Sequence, residues 1–452
     1  MNELNELEDI TDTIIAEEEE ILNETDALHL LESCLDIMEN FINNYPKIIS
    51  EPDFEETFKD SIEELMYIQF EDELKWNTLL EDDIDMIIEE AWDIFFNSFI
   101  PFRSYPSSII LTKPNIEHIE KHLNYVRNLP QPVQRTKEWY ELRHNLITAS
   151  NAYKCFESQS MQNQIIFEKC QPLKVFEEIE TETDKQLIET TIPQPNSTFV
   201  NVNTTLHWGQ KYEPLSVLIY EHLYGTKIED FGCIAHTKYS FLGASPDGIV
   251  VNKESDRFGR MLEIKNIVNR EITGIPKKEY WIQMQLQMEV WNLNECDFLE
   301  TKFVEYENYI DYCEDINTNT NISVTRDNSS KGIIMYFSSS EGTPLYIYKP
   351  IEMNDLEEIE KWEEEIRKQK ESPSLIWIKN IYWKLEHMSC VLVLRNKHWF
   401  QQNIGDIEHI WNIVLEERET GYEHRGPNKR VKTESIHLQE EAPLKCLISL
   451  KK

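Results

Sequence analysis

The sequence predicts an α/β protein: a mixed central β-sheet flanked by helices, with an acidic helical domain added at the N-terminus. Three observations carry this. Ile84, Ile87, Ile88, Ala91 and Phe95 recur at steps of three and four with Asp and Glu between them, the spacing of an amphipathic helix. From 231 the chain changes to short β-type runs, FGCIAHTKYSFLGASPDGIVV, then a polar turn, NKESDRFGR, then MLEIKNI. Helical stretches flank these runs, LHWGQKYEPLSVLIYEHLYG (206–225) before and KEYWIQMQLQMEVWNL (278–293) after.

In chain order, residues 1–125 read as an acidic helical accessory domain, closed by Pro101, Pro106 and Pro114. Residues 1–100 hold 31 Asp and Glu against 3 Lys and Arg, so they carry −28 of the formal net charge of −39. The objection that an acidic protein is a poor nucleic-acid binder therefore falls mainly on this segment. Its surface reads either as a solvated outer face, or as a partner-binding surface or a DNA-mimicking plug over a basic cleft. Residues 126–420 form the main domain. Within it a short helix carries Trp139 and Leu142, and 157–205 read as a polar, irregular insertion. Gly225 is a candidate C-cap for the helix before it, and Pro214 must stand in a first turn or at a kink. A charged helix is expected over 355–370, then an aromatic-rich mixed stretch with Trp377, Trp383 and Trp399. Residues 421–452 read as a disordered tail, with a basic cluster, GPNKRVK, that resembles a nuclear-localisation signal.

Eight scattered cysteines without a CxxC pair argue against a zinc site or a disulfide framework. They fit a reducing compartment. The acidic N-terminus is unlike a secretory signal, and no apolar run reaches the roughly 18 residues of a membrane span. A soluble, intracellular protein without membrane contact is the expectation.

The chemistry concentrates in GASPDGIV (243–250) and LEIKN (262–266). Asp247 stands at a turn, and Glu263 follows 16 residues later on the next strand. A hairpin would bring the two side by side. Strand side chains alternate, so Glu263 and Lys265 share one face while Leu262 and Ile264 enter the core. Two carboxylates can hold a divalent cation that polarises a phosphate and lowers the pKa of a bound water. The lysine beside them can orient or deprotonate that water. The same residues also fit a surface Glu–Lys pair after an ordinary Asp-Gly turn.

The neighbouring segments decide between these readings. EWYELRHNLITAS, LHWGQKYEPLSVLIYE, GASPDGIV, LEIKN and YWIQMQ, in this order over about 135–290, resemble the lambda-exonuclease and YqaJ-like viral recombinase family. That family lies within the PD-(D/E)xK, restriction-endonuclease-like nucleases. The resemblance implies Mg²⁺ or Mn²⁺ on Asp247, Glu263 and Glu213, with the carbonyl of Ile264 as a further ligand. Lys265 is implied as the catalytic lysine and Gln283 as the glutamine of the active-site helix. Arg143 and Ser150 are implied as the pair holding a substrate phosphate. Each has a plainer alternative: Glu213 and Gln283 as solvated surface groups, Arg143 paired with Glu138 or Glu141, Ser150 capping a helix at Asn151. Trp139 and Trp208 read as core.

The implied activity is 5′→3′ exonuclease digestion of double-stranded DNA ends, serving recombination, repair or viral genome processing. A single-strand-annealing protein and a homo-oligomer are open as partners, with host cytoplasm or nucleus as the location. An Asn/Ile/Lys/Glu-rich chain with large extensions fits a large DNA virus. An endonuclease or junction-cleaving enzyme with the same metal site, and a non-catalytic interaction protein on a relic nuclease fold, are the other readings. The acidic front, the long 157–205 stretch and the lack of Cys-Pro after LEIK depart from the family pattern. They leave assembly and end preference open.

Overall fold

The computed structural model describes residues 24–75, 80–110, 113–173, 204–317 and 321–427, with residue 202 and the strand pairs 176–177 and 188–189. Three long helices lead the chain: α1 (Glu24–Asn44), α2 (Phe54–Gln69) and α3 (Leu80–Ser98). Each buries one apolar stripe at helical spacing. Leu30, Cys34, Met38 and Ile42 of α1 meet Phe54, Phe58, Ile62 and Met66 of α2 and the Ile84–Phe95 stripe of α3. The acids face outward.

Arg103 fastens this unit to the rest of the chain. Only 1% exposed, its guanidinium donates to the carbonyls of Ser50 (3.1 Å) and Pro276 (2.9 Å). Its own carbonyl accepts from the Trp281 indole at 3.1 Å. Lys278 adds ion pairs to Glu51 and Glu157, both 2.8 Å. One apolar cluster runs from the N-terminal helices into the body of the protein.

Further elements are α4 (Ile116–Arg127), α5 (Lys137–His144), α6 (Gln159–Cys170) and α7 (Thr205–Tyr224). The strands are β1 (Tyr105–Pro106), β2 (Ile147–Thr148), β3 (Ile228–Glu229), β4 (Ile234–Ala235), β5 (Leu242–Ala244), β6 (Gly248–Val250), β7 (Met261–Asn266), β8 (Glu295–Glu305), β9 (Lys331–Ser339), β10 (Pro344–Tyr348) and β11 (Leu375–Leu394). Helix α8 (Lys278–Trp291) joins β7 to β8, and α9 (Leu356–Lys370) and α10 (Lys397–Thr420) follow later. The main sheet runs β10-β9-β11-β8-β7-β6-β3, with β1 also on β11, and a small sheet runs β2-β5-β4. β7 and β8 are parallel, which requires the α8 crossover between them; the other pairs of the main sheet are antiparallel.

The expected α/β class and its helical N-terminal region are therefore present. So is the alternation in β7: Leu262 and Ile264 pack with Tyr220 of α7, while Glu263 turns to α8. Gly225 caps α7 in the left-handed conformation (φ 57°), as expected. Pro214 lies in the interior of α7, beside Glu213, and leaves the Gln210 carbonyl without its helical donor.

Three expectations change. The stretch expected to be irregular from 157 contains α6, because Ile165, Ile166 and Cys170 bury against the body of the protein. Most of 174–203 lies outside the described residues. The aromatic-rich stretch after 370 divides into the 20-residue β11 with Trp377 and Trp383, whose alternation is broken by two irregular register shifts, and α10 with Trp399. Ordered chain continues past 421 to 427, held by Arg425 on Glu417 at 2.6 Å. The rest of GPNKRVK and the C-terminal residues beyond it lie outside the described residues.

Candidate active site

The turn before β6 sets the site. A side chain at 248 would meet Ile228 Cγ2 at 2.3 Å, so glycine is required there. That close approach holds Asp247 at the mouth of β6. β6 pairs antiparallel with β7, Gly248 opposite Leu262, which places Asp247 next to Glu263 as the hairpin reading expected. The Asp247 backbone N–H donates to the Leu262 carbonyl at 3.1 Å. Its Oδ2 accepts from the Ile264 N–H at 2.6 Å.

Glu263 is fully buried, and charged or polar donors surround it. Oε1 accepts from Lys265 Nζ and from Gln283 Nε2 (2.7 Å), and Oε2 from Gln287 Nε2 (2.7 Å). Gln283 and Gln287 lie one turn apart on α8, so both amides reach the same carboxylate. Gln287 Nε2 also reaches the Ser245 carbonyl at 3.0 Å. The Lys265 ammonium lies 5.0 Å from the Tyr280 ring centroid.

The charges are unbalanced. Burial raises the pKa of Asp247 well above the carboxylate range, and Glu263 and Glu213 push it further; Lys265 and the Ile264 N–H only partly oppose them. Glu213 reaches solvent in the cleft, yet the cleft walls desolvate it, and Glu263 and Asp230 add repulsion, so its pKa is raised too. Burial alone would depress Lys265, but Glu263 and Asp247 outweigh it and hold the pKa above its ordinary value. Three carboxylates thus share one ammonium. Among the described residues no three His, Cys, Asp or Glu side chains close into a ready-made cage. Glu263 spends its oxygens on Lys265 and two amides, and Asp247 and Glu213 keep free acceptor capacity. This donor set fits a hard divalent cation held by one or two carboxylates, with water and substrate oxygens filling the rest.

One cleft of about 710 Å³ collects the expected residues: Arg143, Ser150, Glu213, Asp247 and Gln283 all line it. Glu263 is tied to that wall by the bond it accepts from Gln283, and Lys265 is bonded to Glu263. Ile264 puts its side chain in the core and its N–H on Asp247. Arg143 sits at the last turn of α5. Among the described residues it pairs with neither Glu138 nor Glu141, and its guanidinium lies 4.5 Å from the Trp139 ring centroid. Half-buried cations hold that helix end. Lys169 donates to the Arg143 carbonyl (2.6 Å) and Arg418 to the His144 carbonyl (2.6 Å). Burial, reinforced by Arg143 and Arg418, lowers Lys169 to about 8. Ser150 does not cap a helix; it is exposed, its Oγ 3.3 Å from Thr148 Oγ1.

Residues 138–294 match the family model of the YqaJ-like viral recombinase domain. Over this segment the chain is similar to the YqaJ-like viral recombinase domain. The matched interval contains Arg143, Ser150, Glu213, Asp247, Glu263, Lys265 and Gln283, in the order read from the sequence. An uncharacterized protein of Acanthamoeba polyphaga mimivirus, a large DNA virus, is 28% identical over 342 residues, which are 69% of this chain. The chain spans 58% of that relative's length. An alkaline exonuclease from Laribacter hongkongensis is similar at 19% identity and a TM-score of 0.32, over 64% of this chain and 95% of that one. The same figures hold for its complex with dAMP.

Helical spacing shows only that Gln287 shares the face of Gln283; its direct bond to Glu263 needed the register of α8 on β7. Asp230, which lines the cleft and repels Glu213, was missed. No signal in a chain with 83 acids distinguishes it.

Proposed function

We propose that the chain is a metal-dependent DNA nuclease, acting as a 5′→3′ exonuclease on duplex ends. The observation that carries this is the Asp247–Glu263–Lys265 cluster opening, with Arg143 and Glu213, onto one cleft inside the YqaJ-like domain. Asp247, Glu263 and Glu213, with the Ile264 carbonyl, are the groups that would hold Mg²⁺ or Mn²⁺. When bound, the cation supplies charge for the scissile phosphate and a more acidic water. Lys265 keeps its proton, so its part is to position the attacking water and oppose charge developing on phosphate oxygen. Gln283 and Gln287 hold Glu263 in place without adding charge. Arg143, always a cation, and the Ser150 hydroxyl bind the phosphate of the DNA end.

The order of label release tests the polarity. On a linear duplex with Mg²⁺, a 5′ label is expected to appear as mononucleotide long before a 3′ label on the same strand. Arg143→Ala is expected to remove most of any preference for 5′-phosphorylated over 5′-hydroxyl ends. Early release of the 3′ label would overturn the polarity, and internal fragments would favour an endonuclease.

The raised carboxyl pKa values give a second expected outcome. An acid with a higher pKa folded than unfolded stabilises the fold fully below its unfolded value, about pH 4, and loses that contribution as pH rises through the folded value. Lys265, raised as a base, contributes throughout the range below about pH 10. Metal-free protein should therefore lose stability at this site as pH rises, where a cation has most to relieve. The gain in Tm from Mg²⁺ over EDTA is expected to grow from about pH 5 to about pH 8. A gain that is constant or shrinks would count against these ligands.

A further inference from the structure

Two chain segments line the active-site cleft at one end and a second cleft at the other. Gln131, Phe231 and Gly232 face the first; Val126, Leu129, Ile234 and His236 face the second. The Gly232 N–H donates to Gln131 Oε1 at 2.7 Å, tying the segments together between the clefts.

The second cleft, of about 540 Å³, is unlike the rest of the surface. Lys238 and Lys397 line it, both exposed, and neither forms an ion pair among the described residues. Arg395 also lines it but is neutralised by Glu289, with contacts of 2.7 and 2.5 Å. The lining itself therefore carries a formal charge of +2 in a chain of formal net charge −39, with Lys238 bonded to Tyr239 and Glu408 acting on it from outside the cleft. His236 adds a neutral donor. Its Nδ1 accepts the backbone N–H groups of Lys238 and Tyr239, both 3.0 Å, which puts the ring proton on Nε2. Tyr125, 54% exposed, offers an aromatic ring at the rim, with the His122 ring tilted beside it at 6.3 Å. Ammonium groups, a fixed N–H donor and an open ring together suit a phosphodiester strand with an unstacked base. The volume suits a nucleotide or two rather than a duplex.

We propose that this cleft is a secondary binding site for single-stranded DNA, with phosphates on Lys238 and Lys397 and a base stacked on Tyr125. The choice of DNA among polyanions rests on the nuclease reading of the adjoining cleft.

The test uses the full chain in EDTA, where no metal-dependent cleavage occurs, and the anisotropy of a labelled oligothymidylate of about ten nucleotides across a salt series. The double variant Lys238→Glu/Lys397→Glu is expected to bind at least about tenfold more weakly. Its log–log salt slope should be flatter by about 1.4, two phosphate contacts at about 0.7 each. Tyr125→Ala is expected to weaken binding about tenfold with the slope unchanged. Unchanged affinity and slope in the double variant would overturn the proposal. So would displacement of the strand by poly-aspartate together with no effect of Tyr125→Ala, which would assign the cleft to an acidic peptide. Wild-type cleavage in Mg²⁺, measured in parallel, judges the nuclease reading separately: binding with the expected dependence but no cleavage would sink that reading alone.

Discussion

Replacement of Lys265 by Ala is expected to lower DNA cleavage by about a thousandfold, within the range general acid–base and positioning groups supply. The geometry explains both the size and the selectivity of the effect. Lys265 is the ammonium directly bonded to Glu263, and it sits against Tyr280 beside Asp247. Without it, no cation of the chain is bonded within the cluster of three neighbouring carboxylates. Glu263 would keep its bonds from Gln283 and Gln287, so the β7–α8 packing should survive. DNA affinity in EDTA should change less than about threefold, because the phosphate contacts assigned to Arg143 and Ser150 remain. Lys265→Arg should rescue little, since a planar fork cannot occupy the place of a compact ammonium. Single-turnover cleavage, with unfolding monitored on the same samples, checks this. Near-normal cleavage by Lys265→Ala would remove the lysine from the mechanism.

The largest stability effect is expected outside the cleft. Asp297 on β8 is fully buried and binds Arg257, Arg260 (3.0 Å) and the Tyr220 hydroxyl (2.6 Å). Arg260 is 1% exposed, and both guanidiniums also reach the Ser107 carbonyl. Asp297→Ala would leave buried positive charge without its counter-ion, which costs about 3–5 kcal/mol. Asp297→Asn keeps the acceptor oxygen and should cost less. Urea unfolding is the measurement, with cleavage per folded molecule expected to stay near wild type. A loss below about 1 kcal/mol would show that Glu295 and the carbonyls compensate the arginines unaided.

Much of this site was legible because strand chemistry is local. Period-two alternation placed Glu263 and Lys265 on one face, and the polar turn at 252–260 signalled the hairpin that brings Asp247 to them. Helical period four put Gln283 and Gln287 together. The remainder depended on contacts far apart in sequence. Arg418, 274 residues after His144, fixes the end of the helix that carries Arg143. Arg103 joins the N-terminal helices to Pro276 across 173 residues. α6 was hidden because its outward face is rich in Gln and Asn, and only Ile165, Ile166 and Cys170 mark the buried side. Asp230 was hidden by abundance, one acid among many.

The central claim, a metal-dependent nuclease working from DNA ends through Lys265, is tested most directly by one digestion series. End-labelled linear duplex and closed circular DNA are each incubated with Mg²⁺ or EDTA, using wild type and Lys265→Ala. The expected result is loss of the linear form only, with Mg²⁺ only, and abolished by the substitution. Cleavage of the closed circle, or cleavage that survives EDTA or the loss of Lys265, would contradict it.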